Sequence, residues 1–373
     1  MRTRLGLCVL VGAVAALTAV AKGPRLLTPP PGAVVPLLDQ VKKDYLALPR
    51  AERRRAFVDK TCRNRLRESG CHPLPVDFRW DVMDPAELRL YAGDRCVFIT
   101  NGAVGCVRCE NLEIARTYRW SVKVGGQISV STFKTEDVAP RLLKVDGVVN
   151  MRDLGGRIGL EGRRVRQGRV FRSGELNRAA IRDRHDRTAP WTPARLSLPQ
   201  GSVRYLCETL GVRTDLDLRD NLECTGMTGS PLGSAVRWVH LESERYGTMQ
   251  SPRGKAIFGK TFAVFLDEGN YPIDLHCIAG QDRTGSVAFI LNGLLGVSEE
   301  ELYRDWESTA FWNSNVGFCH DARLDKLVAG LSGYPGATLN QKIESYVKSV
   351  GFSDKDIRKF REIMLEPIRE DGR

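Results

Sequence analysis

From about residue 145 onward, short apolar runs alternate with longer segments whose apolar residues recur at helical spacing. The helical pattern is clearest after residue 284, at Val287, Ile290, Leu291 and Leu294. Strands that alternate with helices usually pair in parallel, with helices packed on the sheet. The pattern therefore predicts an α/β fold over residues 145–373, with a mostly parallel sheet flanked by helices. The predicted strands are 148–151, 170–172, 212–218, 236–241 and 273–276, and the predicted closing helices are 339–350 and 354–365.

Residues 73–137 show a different pattern, in which polar and apolar positions alternate one by one. A period of two is typical of strands with one buried face. Asn101-Gly102 and Gly125-Gly126 have the composition of tight turns between such strands. The segment predicts a smaller all-β, sandwich-like N-terminal domain, with Trp80 and Trp120 in its core.

The residues before this domain divide into two stretches. Residues 27–36 are rich in proline and predict a linker. Residues 37–46 and 51–68 have the spacing of helices. We therefore interpret residues 22–70 as a linker and helical segment.

The N-terminus has the features of a secretory signal. Arg2 and Arg4 precede an apolar run, which ends in the small residues 19–21. This order defines a signal peptide, and the run is shorter than the about 20 residues of a comfortable membrane span. Residues 1–21 are predicted to be removed during export, to the periplasm or the exterior if the source is bacterial. The remaining chain would have no stable membrane insertion; the alternative is an uncleaved anchor.

The charge of the chain restricts its partners. The net charge of +11 is spread over single arginines and lysines rather than one basic block. Aromatic residues are not interleaved with basic ones as on a nucleic-acid surface, so no nucleic-acid partner is expected. The positive excess suits phosphorylated, acidic substrates, although a merely soluble surface would also have it.

The ten cysteines suit an oxidising compartment. Candidate disulfides are Cys62 with Cys71, and two of Cys96, Cys106 and Cys109. The alternative is that several of them are small buried hydrophobic residues. Because the Cys-x-x-Cys pair has no second pair at suitable spacing, no zinc site is expected.

The segment with the clearest chemistry lies between the predicted strand 273–276 and the helix after residue 284. Cys277 and Arg283 are separated by five residues, with His276 before them and Gly285 after them. Backbone N–H groups at the start of a helix bind anions and favour a thiolate over a thiol. An arginine fork matches two phosphate oxygens. A thiolate, an arginine and a cradle of amides together predict phosphoryl transfer.

This segment resembles the signature of the protein tyrosine phosphatase superfamily. Its finer pattern over residues 277–284, Cys-x-x-Gly-x-Asp-Arg-Thr, resembles that of the bacterial tyrosine phosphatases of broad specificity. Two further blocks follow the order of that family: residues 149–156 with 168–176, and residues 210–220. The resemblance covers about residues 145–370 and implies a cysteine phosphatase-like fold.

A looser resemblance concerns the predicted N-terminal domain. Residues 111–112, 118–120 and 132–135 are similar to a fibronectin type III module. Such a module implies either a spacer, which we favour, or a surface that presents the enzyme to a partner.

The phosphatase resemblance implies roles for the loop residues and no metal or other cofactor. Cys277 would attack phosphorus to form a phosphocysteine intermediate. Arg283 would bind the equatorial phosphate oxygens, and His276 would orient the loop. The other phosphate-binding residues would be Ile278, Ala279, Gly280, Gln281 and Thr284.

The sequence leaves the proton donor for the leaving group open. Asp282 lies in the loop and is the candidate general acid of the family. Asp217 and Asp220, at the end of a predicted neighbouring strand, are alternatives, and Asp217 could instead be a structural partner of Arg219 or Arg152. A carboxyl group next to a dianionic substrate would have its pKa raised, which suits a donor.

Gln281 departs from the family pattern, which commonly has lysine at this position. Without that charge, phosphotyrosine in a protein or a small aryl phosphate is a better substrate than a phosphoinositide. The alternatives are an inositol-polyphosphate or phosphoinositide phosphatase, and a non-catalytic protein that binds phosphorylated ligands or acts as a scaffold.

Overall fold

The computed structural model describes residues 23–181, 192–196, 198–312 and 322–368. The predicted signal peptide, residues 1–21, lies outside this part of the chain. Within the described ranges, no helix combines the length and the apolar character needed to cross a membrane.

The N-terminal part of the chain forms two sheets. Strands β2, β8, β7, β4 and β5 lie side by side in one sheet, and β1, β3 and β6 in the other. The strands are β1 (Leu26–Thr28), β2 (Val34–Val35), β3 (Val76–Trp80), β4 (Ala86–Ala92), β5 (Arg95–Ala103), β6 (Cys106–Cys109), β7 (Thr117–Val124) and β8 (Gln127–Thr135). Trp80 and Trp120 lie in their common core, as predicted, and the Trp120 ring centroid is 5.0 Å from that of Phe78.

The proline-rich segment that we interpreted as a linker is part of these sheets. Its strand β1 pairs with β3, and its strand β2 pairs with β8. The turn prediction at Asn101-Gly102 is also wrong, because both residues lie within β5. The hairpin between β4 and β5 turns at Gly93-Asp94, where Gly93 has a φ of 59°. Gly125-Gly126 does connect β7 to β8, as predicted.

Three helices lie between β2 and β3, where the sequence predicted two. They are α1 (Gln40–Ala47), α2 (Arg50–Val58) and α3 (Lys60–Ser69). The predicted helix 51–68 is interrupted at Asp59, which has an extended backbone and accepts hydrogen bonds from the N–H groups of Thr61 and Cys62 at 2.6 and 3.1 Å. An aspartate that caps the following turn ends one helix and starts the next.

The C-terminal part is built around a second five-stranded sheet, in the order β14, β13, β15, β10, β9. Neighbouring strands are parallel except for β10 and β9. The strands of this part are β9 (Arg152–Asp153), β10 (Val170–Ser173), β11 (Arg178–Ile181), β12 (Thr192–Leu196), β13 (Thr214–Asp217), β14 (Arg237–His240) and β15 (Ile273–His276). The predicted strand at 148–151 is displaced along the chain, since the first strand of this sheet starts at Arg152.

Helices cover this sheet and give the chain its mixed α/β fold. They are α4 (Gln200–Arg204), α5 (Pro252–Val264), α6 (Asp282–Leu294), α7 (Glu299–Glu307), α8 (Ala322–Ser332), α9 (Leu339–Ser349) and α10 (Asp354–Met364). The two closing helices agree with their predictions to within one residue. Every residue of α6 from Arg283 to Leu294 is buried, so this helix forms the centre of the core.

The two parts of the chain share a core. Tyr45, Phe57 and Leu66 from the N-terminal helices pack with Ala310 and Phe311, which follow α7. The N-terminal helices therefore bury apolar surface against the α/β part.

The predicted disulfides are not formed. The cysteines of the described residues, Cys62, Cys71, Cys96, Cys106, Cys109, Cys207, Cys224 and Cys277, are all free thiols. Burial raises the pKa of Cys71 and raises that of Cys109 to about 12. These two are small buried residues, which was the alternative interpretation.

Candidate active site

A five-residue loop, 277–281, joins the end of β15 to the start of α6. Gly280 in this loop has a φ of 62°, and a Cβ at this position would lie 2.3 Å from the carbonyl oxygen of Ser173. Only glycine permits both this backbone conformation and this close approach to β10.

Side chains from the neighbouring segments hold the outer side of the loop. Asn150 Nδ2 donates to the carbonyl oxygens of Ala279 and Gly280 at 3.0 and 3.2 Å, and Arg172 Nη2 donates to Gly280 at 2.8 Å. The backbone N–H of Glu175 donates to the carbonyl oxygen of Ile278 at 2.9 Å. Within the described residues, the N–H groups of residues 278–280 make no hydrogen bond to a backbone carbonyl. These donors are therefore available to an anion, as in other amide nests.

Arg172 and the loop are connected to α7 through one buried carboxylate. Asp305 pairs with Arg172, with Arg152 at 3.2 Å and with Arg157 at 3.3 Å. Burial opposes ionisation, but these three guanidinium groups hold the pKa of Asp305 well below its usual range. The loop is thus supported by a buried network of ion pairs.

Cys277 lies at the floor of the site and is 2% exposed. Burial alone would raise the pKa of its thiol, but the Arg283 charge and hydrogen bonds from Thr284 outweigh burial, and the pKa is lowered. The Thr284 hydroxyl has no other hydrogen-bond partner among the described residues. A thiolate at this position is therefore favoured, and Thr284 is available to stabilise it.

Arg283 is oriented by Glu223, a residue that the sequence did not single out. Its Nη1 and Nη2 atoms donate to the two Glu223 carboxylate oxygens at 2.6 and 3.1 Å. Its third donor, Nε, is buried without a hydrogen-bond partner among the described residues. Because a buried unpaired donor is unfavourable, this N–H is well suited to receive a phosphate oxygen.

His276 lies beneath the loop, between two buried carboxylates. Its Nε2 atom is 2.7 Å from Asp215 Oδ1, and its Nδ1 atom is 3.9 Å from Asp217 Oδ1. Burial alone would lower the pKa of His276, but the charges of Asp217 and Asp215 raise it to about 9. A protonated, fully buried histidine is a structural support of the loop and is not positioned as a base.

The three candidate acids lie in different environments. Asp217 is fully buried and pairs with Arg219 at 2.7 Å, which is the structural role considered as its alternative. Asp220 borders the cavity above Arg283, and its carboxylate accepts the N–H of Glu223 at 2.9 Å. Asp282 begins α6, and its Oδ1 atom is buried without a hydrogen-bond partner among the described residues. Among the described residues, Asp282 thus keeps one unpaired carboxylate oxygen at the start of α6, directly before Arg283.

Tyr246 lies beside Asp282 on the wall of the cavity. Burial and the Asp282 carboxylate raise the pKa of its phenol above the usual range. Tyr246 has a φ of 52°, and its backbone N–H donates to Ser286 Oγ at 3.0 Å. This contact fixes the turn that carries Tyr246 to the first turn of α6.

The cavity in front of Arg283 has a volume of about 680 Å³. It is bordered by Asp220, by residues 242–248, by Arg253 and by one side of α8. Its size is that of a site for a small organic ligand. In the described part of the chain, no group of three or more His, Cys, Asp or Glu side chains is arranged to hold a metal ion.

The supporting residues differ in how visible they are in the sequence. Asn150 and Arg172 lie within the sequence blocks 149–156 and 168–176, which resemble the family. Glu223 and Asp305 lie outside every motif that the sequence showed. The signal for Asp305 is its position among Leu302, Tyr303 and Trp306, which places an acidic residue on the apolar face of a helix.

The model of the tyrosine phosphatase family matches residues 143–188 and 194–366, more than half of the chain. The chain belongs to the tyrosine phosphatase family. A protein of Cupriavidus necator, provisionally named a tyrosine-protein phosphatase, is 30% identical over 188 residues, which cover 44% of this chain and 61% of that protein.

One similar solved structure is the core catalytic domain of the PP-IP phosphatase SIW14 of S. cerevisiae, in complex with citrate. Its sequence is 18% identical to this chain. The similarity covers 44% of this chain and 82% of that domain, with a TM-score of 0.25. A TM-score of this size supports no statement about fold or substrate. The family membership therefore rests on the matched residues and on the loop from Cys277 to Arg283.

Proposed function

We propose that this member of the tyrosine phosphatase family is a cysteine-dependent phosphatase, which hydrolyses phosphate monoesters through a phosphocysteine intermediate and acts on phosphotyrosine. The observation that carries the proposal is the buried Cys277, whose pKa is lowered, next to an arginine with an unpartnered Nε donor. A thiolate and a cationic donor on one amide-rich loop are the elements needed for phosphoryl transfer.

In the first step, the Cys277 sulfur attacks phosphorus and the bond from phosphorus to the ester oxygen breaks. Arg283 and the N–H groups of residues 278–281 bind the equatorial oxygens, on which negative charge is distributed. Asp282 gives a proton to the leaving oxygen. Glu223 keeps the guanidinium plane in place during this step.

In the second step, water attacks the phosphocysteine and the phosphorus–sulfur bond breaks. Asp282, now ionised, takes a proton from the water, and phosphate leaves. The Thr284 hydroxyl hydrogen bonds to the sulfur as it becomes a thiolate again. No step needs a metal ion.

The proposal is tested with residues 22–373 and p-nitrophenyl phosphate, in the presence of a chelator. We expect vanadate-sensitive hydrolysis that is lost in Cys277→Ser and retained in Cys207→Ser, a matched removal of a half-buried thiol. Failure of the reduced protein to hydrolyse any phosphate monoester would leave binding of phosphorylated ligands as its role. A radiolabelled phosphoenzyme, trapped by acid quench and absent in Cys277→Ser, identifies the intermediate.

The role of Asp282 is tested by the leaving group. Asp282→Asn should lower kcat by about 10²-fold or more for phenyl phosphate, because phenolate needs a proton to leave. The loss should be much smaller for p-nitrophenyl phosphate, because nitrophenolate leaves without one. Equal losses for both substrates would contradict a general acid at this position.

Substrate preference is tested with peptides that contain phosphotyrosine or phosphoserine and with inositol hexakisphosphate. The neutral Gln281, which is 3% exposed, supports a preference for the phosphotyrosine peptide. A higher kcat/KM for the inositol phosphate would replace our proposal with the alternative.

We also propose that the chain is exported and that residues 1–21 are its signal peptide, on the pattern of charge, apolar run and small residues alone. The N-terminal sequence of the protein recovered from cells tests this directly. A mature chain that begins near Lys22 is expected, and a chain that retains Arg2 and Arg4 would overturn the proposal. The fibronectin type III likeness stays a prediction of the same kind.

A further inference from the structure

The cavity in front of Arg283 extends well beyond the space of one phosphoryl group. Its volume is about 680 Å³, and its walls include residues 242–248 and part of α8. Pockets of this size accommodate ligands of many heavy atoms. These walls are therefore positioned to contact a part of the substrate other than the reacting phosphate.

The charged side chains of these walls are unevenly paired. Arg253 lies 3.4 Å from Glu242 and 3.2 Å from Glu244, so its charge is already paired and this group retains one net negative charge. Arg245 and Lys326 border the same cavity and are exposed. Neither has an ion-pair partner within the described part of the chain. Two cations thus remain for a ligand.

The two cations come from elements that pack directly against each other. A Cβ built on Gly247 would lie 3.5 Å from the carbonyl oxygen of Lys326, which is ordinary van der Waals contact. The turn after Arg245 and helix α8 therefore meet at this wall. The backbone segments that carry Arg245 and Lys326 therefore lie next to each other.

We propose that Arg245 and Lys326 form a subsite for a second anionic group on the substrate, the carboxylate of an acidic residue that flanks phosphotyrosine. This inference rests on the proposed function. Both cations lie at the exposed rim, where a flanking peptide side chain would reach. A second phosphate on the same small ring would instead lie closer to the reacting phosphate, and there the loop offers the neutral Gln281 rather than a further cation.

The experiment compares two phosphotyrosine peptides of equal length, one with glutamate on both sides of phosphotyrosine and one with glutamine. The measured quantity is the ratio of their kcat/KM values, acidic over neutral, at low ionic strength. We expect the native protein to prefer the acidic peptide. Arg245→Ala and Lys326→Ala should each lower the ratio by about twofold to fivefold, the range of partly exposed ion pairs, and the double variant should lower it further.

Lys134→Ala is the matched control, because it removes one exposed positive charge from β8, far along the chain from the cavity. It should leave the ratio unchanged if the effect is local rather than due to net charge. Added salt should reduce the ratio of the native protein and have less effect on the double variant. Inositol 1,4-bisphosphate is measured as a third substrate, because its second anionic group is a phosphate rather than a peptide carboxylate.

The outcomes separate this inference from the proposed function. A ratio near one in the native protein, or a ratio that both variants leave unchanged, would overturn the subsite while Cys277-dependent hydrolysis of p-nitrophenyl phosphate persists. A loss in the variants that is confined to inositol 1,4-bisphosphate would overturn the peptide as its occupant. Absence of Cys277-dependent hydrolysis for every substrate would instead remove the proposed function itself.

Discussion

Arg283 has more hydrogen-bond donors than Glu223 can accept from. Its two Nη atoms are paired with the Glu223 carboxylate, and Nε is left without a partner among the described residues. Because a guanidinium group is planar, fixing both Nη atoms also fixes the direction of Nε. The ion pair is therefore expected to orient Arg283 for phosphate rather than to compete with phosphate.

Glu223→Gln tests this orientation. A glutamine keeps the size of the side chain but replaces two charge-assisted hydrogen bonds with at most one weaker bond. We expect kcat/KM for p-nitrophenyl phosphate to fall by roughly 10-fold to 100-fold, the equivalent of about 1.5–3 kcal/mol for a hydrogen bond to a charged group. Glu362→Gln, an exposed change on α10, is the control. Increased activity in Glu223→Gln would show that Glu223 competes with the substrate.

His276 makes the stability of the protein depend on pH. Its pKa is about 9 in the folded state, because Asp215 and Asp217 outweigh the effect of burial, and about 6.5 when unfolded. A raised pKa contributes stability that is fully present below pH 6.5 and is lost as the pH rises through 9. In urea denaturation, the free energy of unfolding should decrease over this window by on the order of 2 kcal/mol.

His276→Gln should be less stable at pH 6 and should lack most of the decrease between pH 6.5 and 9. His240, whose Nε2 atom lies 2.9 Å from the carbonyl oxygen of Arg219, provides the matched change His240→Gln. If His276→Gln shows the same slope as the native protein, the coupling of His276 to the two carboxylates is wrong.

Among single residues, the sequence singled out those candidate site residues that lie within one short segment. Cys277, Asp282 and Arg283 occur within seven consecutive positions, so their chemistry is visible without a fold. Glu223 is 60 residues away from Arg283, and nothing in its local sequence indicates an ion pair. The contact exists because β13 and β15 are neighbours in the sheet, which places their C-terminal loops together.

Among the elements, α7 has a supporting role that its amphipathic pattern does not reveal. The helix packs Leu302 and Trp306 into the core and directs Asp305 towards three arginines. Arg172, one of the three, also donates to the carbonyl of Gly280 in the loop. A substitution of Asp305 in α7 should therefore alter the conformation of the loop, because Arg172 contacts both.

Asp305→Asn tests this connection. The variant leaves three buried guanidinium groups without their shared carboxylate, and the loss of one partner from a buried ion pair costs about 3–5 kcal/mol. We expect lower stability in urea, and a lower kcat at a temperature where the variant is still folded. Asp325→Asn on α8 removes a 44% exposed carboxylate that pairs with Arg50, and should cost less than about 1 kcal/mol. A stable but inactive Asp305→Asn would show that the effect on the loop exceeds that on the fold.

Element prediction succeeded where burial determines the pattern and failed where a single polar residue does. The closing helices were predicted to within one residue, because each has one apolar face against the core. The long helix over 51–68 was not, because the Asp59 side chain accepts two backbone N–H groups and interrupts it. Similarly, the strands within the proline-rich segment are held by pairing with β3 and β8, which no local pattern encodes.

At the scale of the whole molecule, the N-terminal part is an integral part of the structure rather than a spacer. Arg141 pairs with Asp153 at 2.8 Å and also donates to the carbonyl of Asn111 at 2.8 Å, so one buried arginine connects both parts. Asn111 in turn hydrogen bonds to the hydroxyl of Tyr205 at 2.9 Å. Arg53 of α2 extends these contacts to α7, where it pairs with the buried Glu307.

Arg53 and Glu307 allow a quantitative test of this integration, because their side chains are 0% and 1% exposed. Arg53→Met should destabilise the protein by about 3–5 kcal/mol, since it leaves the Glu307 charge buried without its main partner. The double variant Arg53→Met/Glu307→Met removes both charges and should recover most of the loss. The free energies of unfolding of the four proteins in urea form a double-mutant cycle, with a single transition expected in each.

The pH dependence of the single variant gives the sign of the effect. Burial raises the pKa of Glu307, and the charge of Arg53 counteracts this rise in the native protein. In Arg53→Met the folded pKa should increase further, so a neutral Glu307 contributes stability at low pH that is lost as the pH rises through the new pKa. The destabilisation should therefore be smaller at pH 5 than at pH 8, and the double variant should show no such difference. Two separate unfolding transitions in the native protein would instead show that the N-terminal helices and the α/β part fold independently, because an integrated core predicts one.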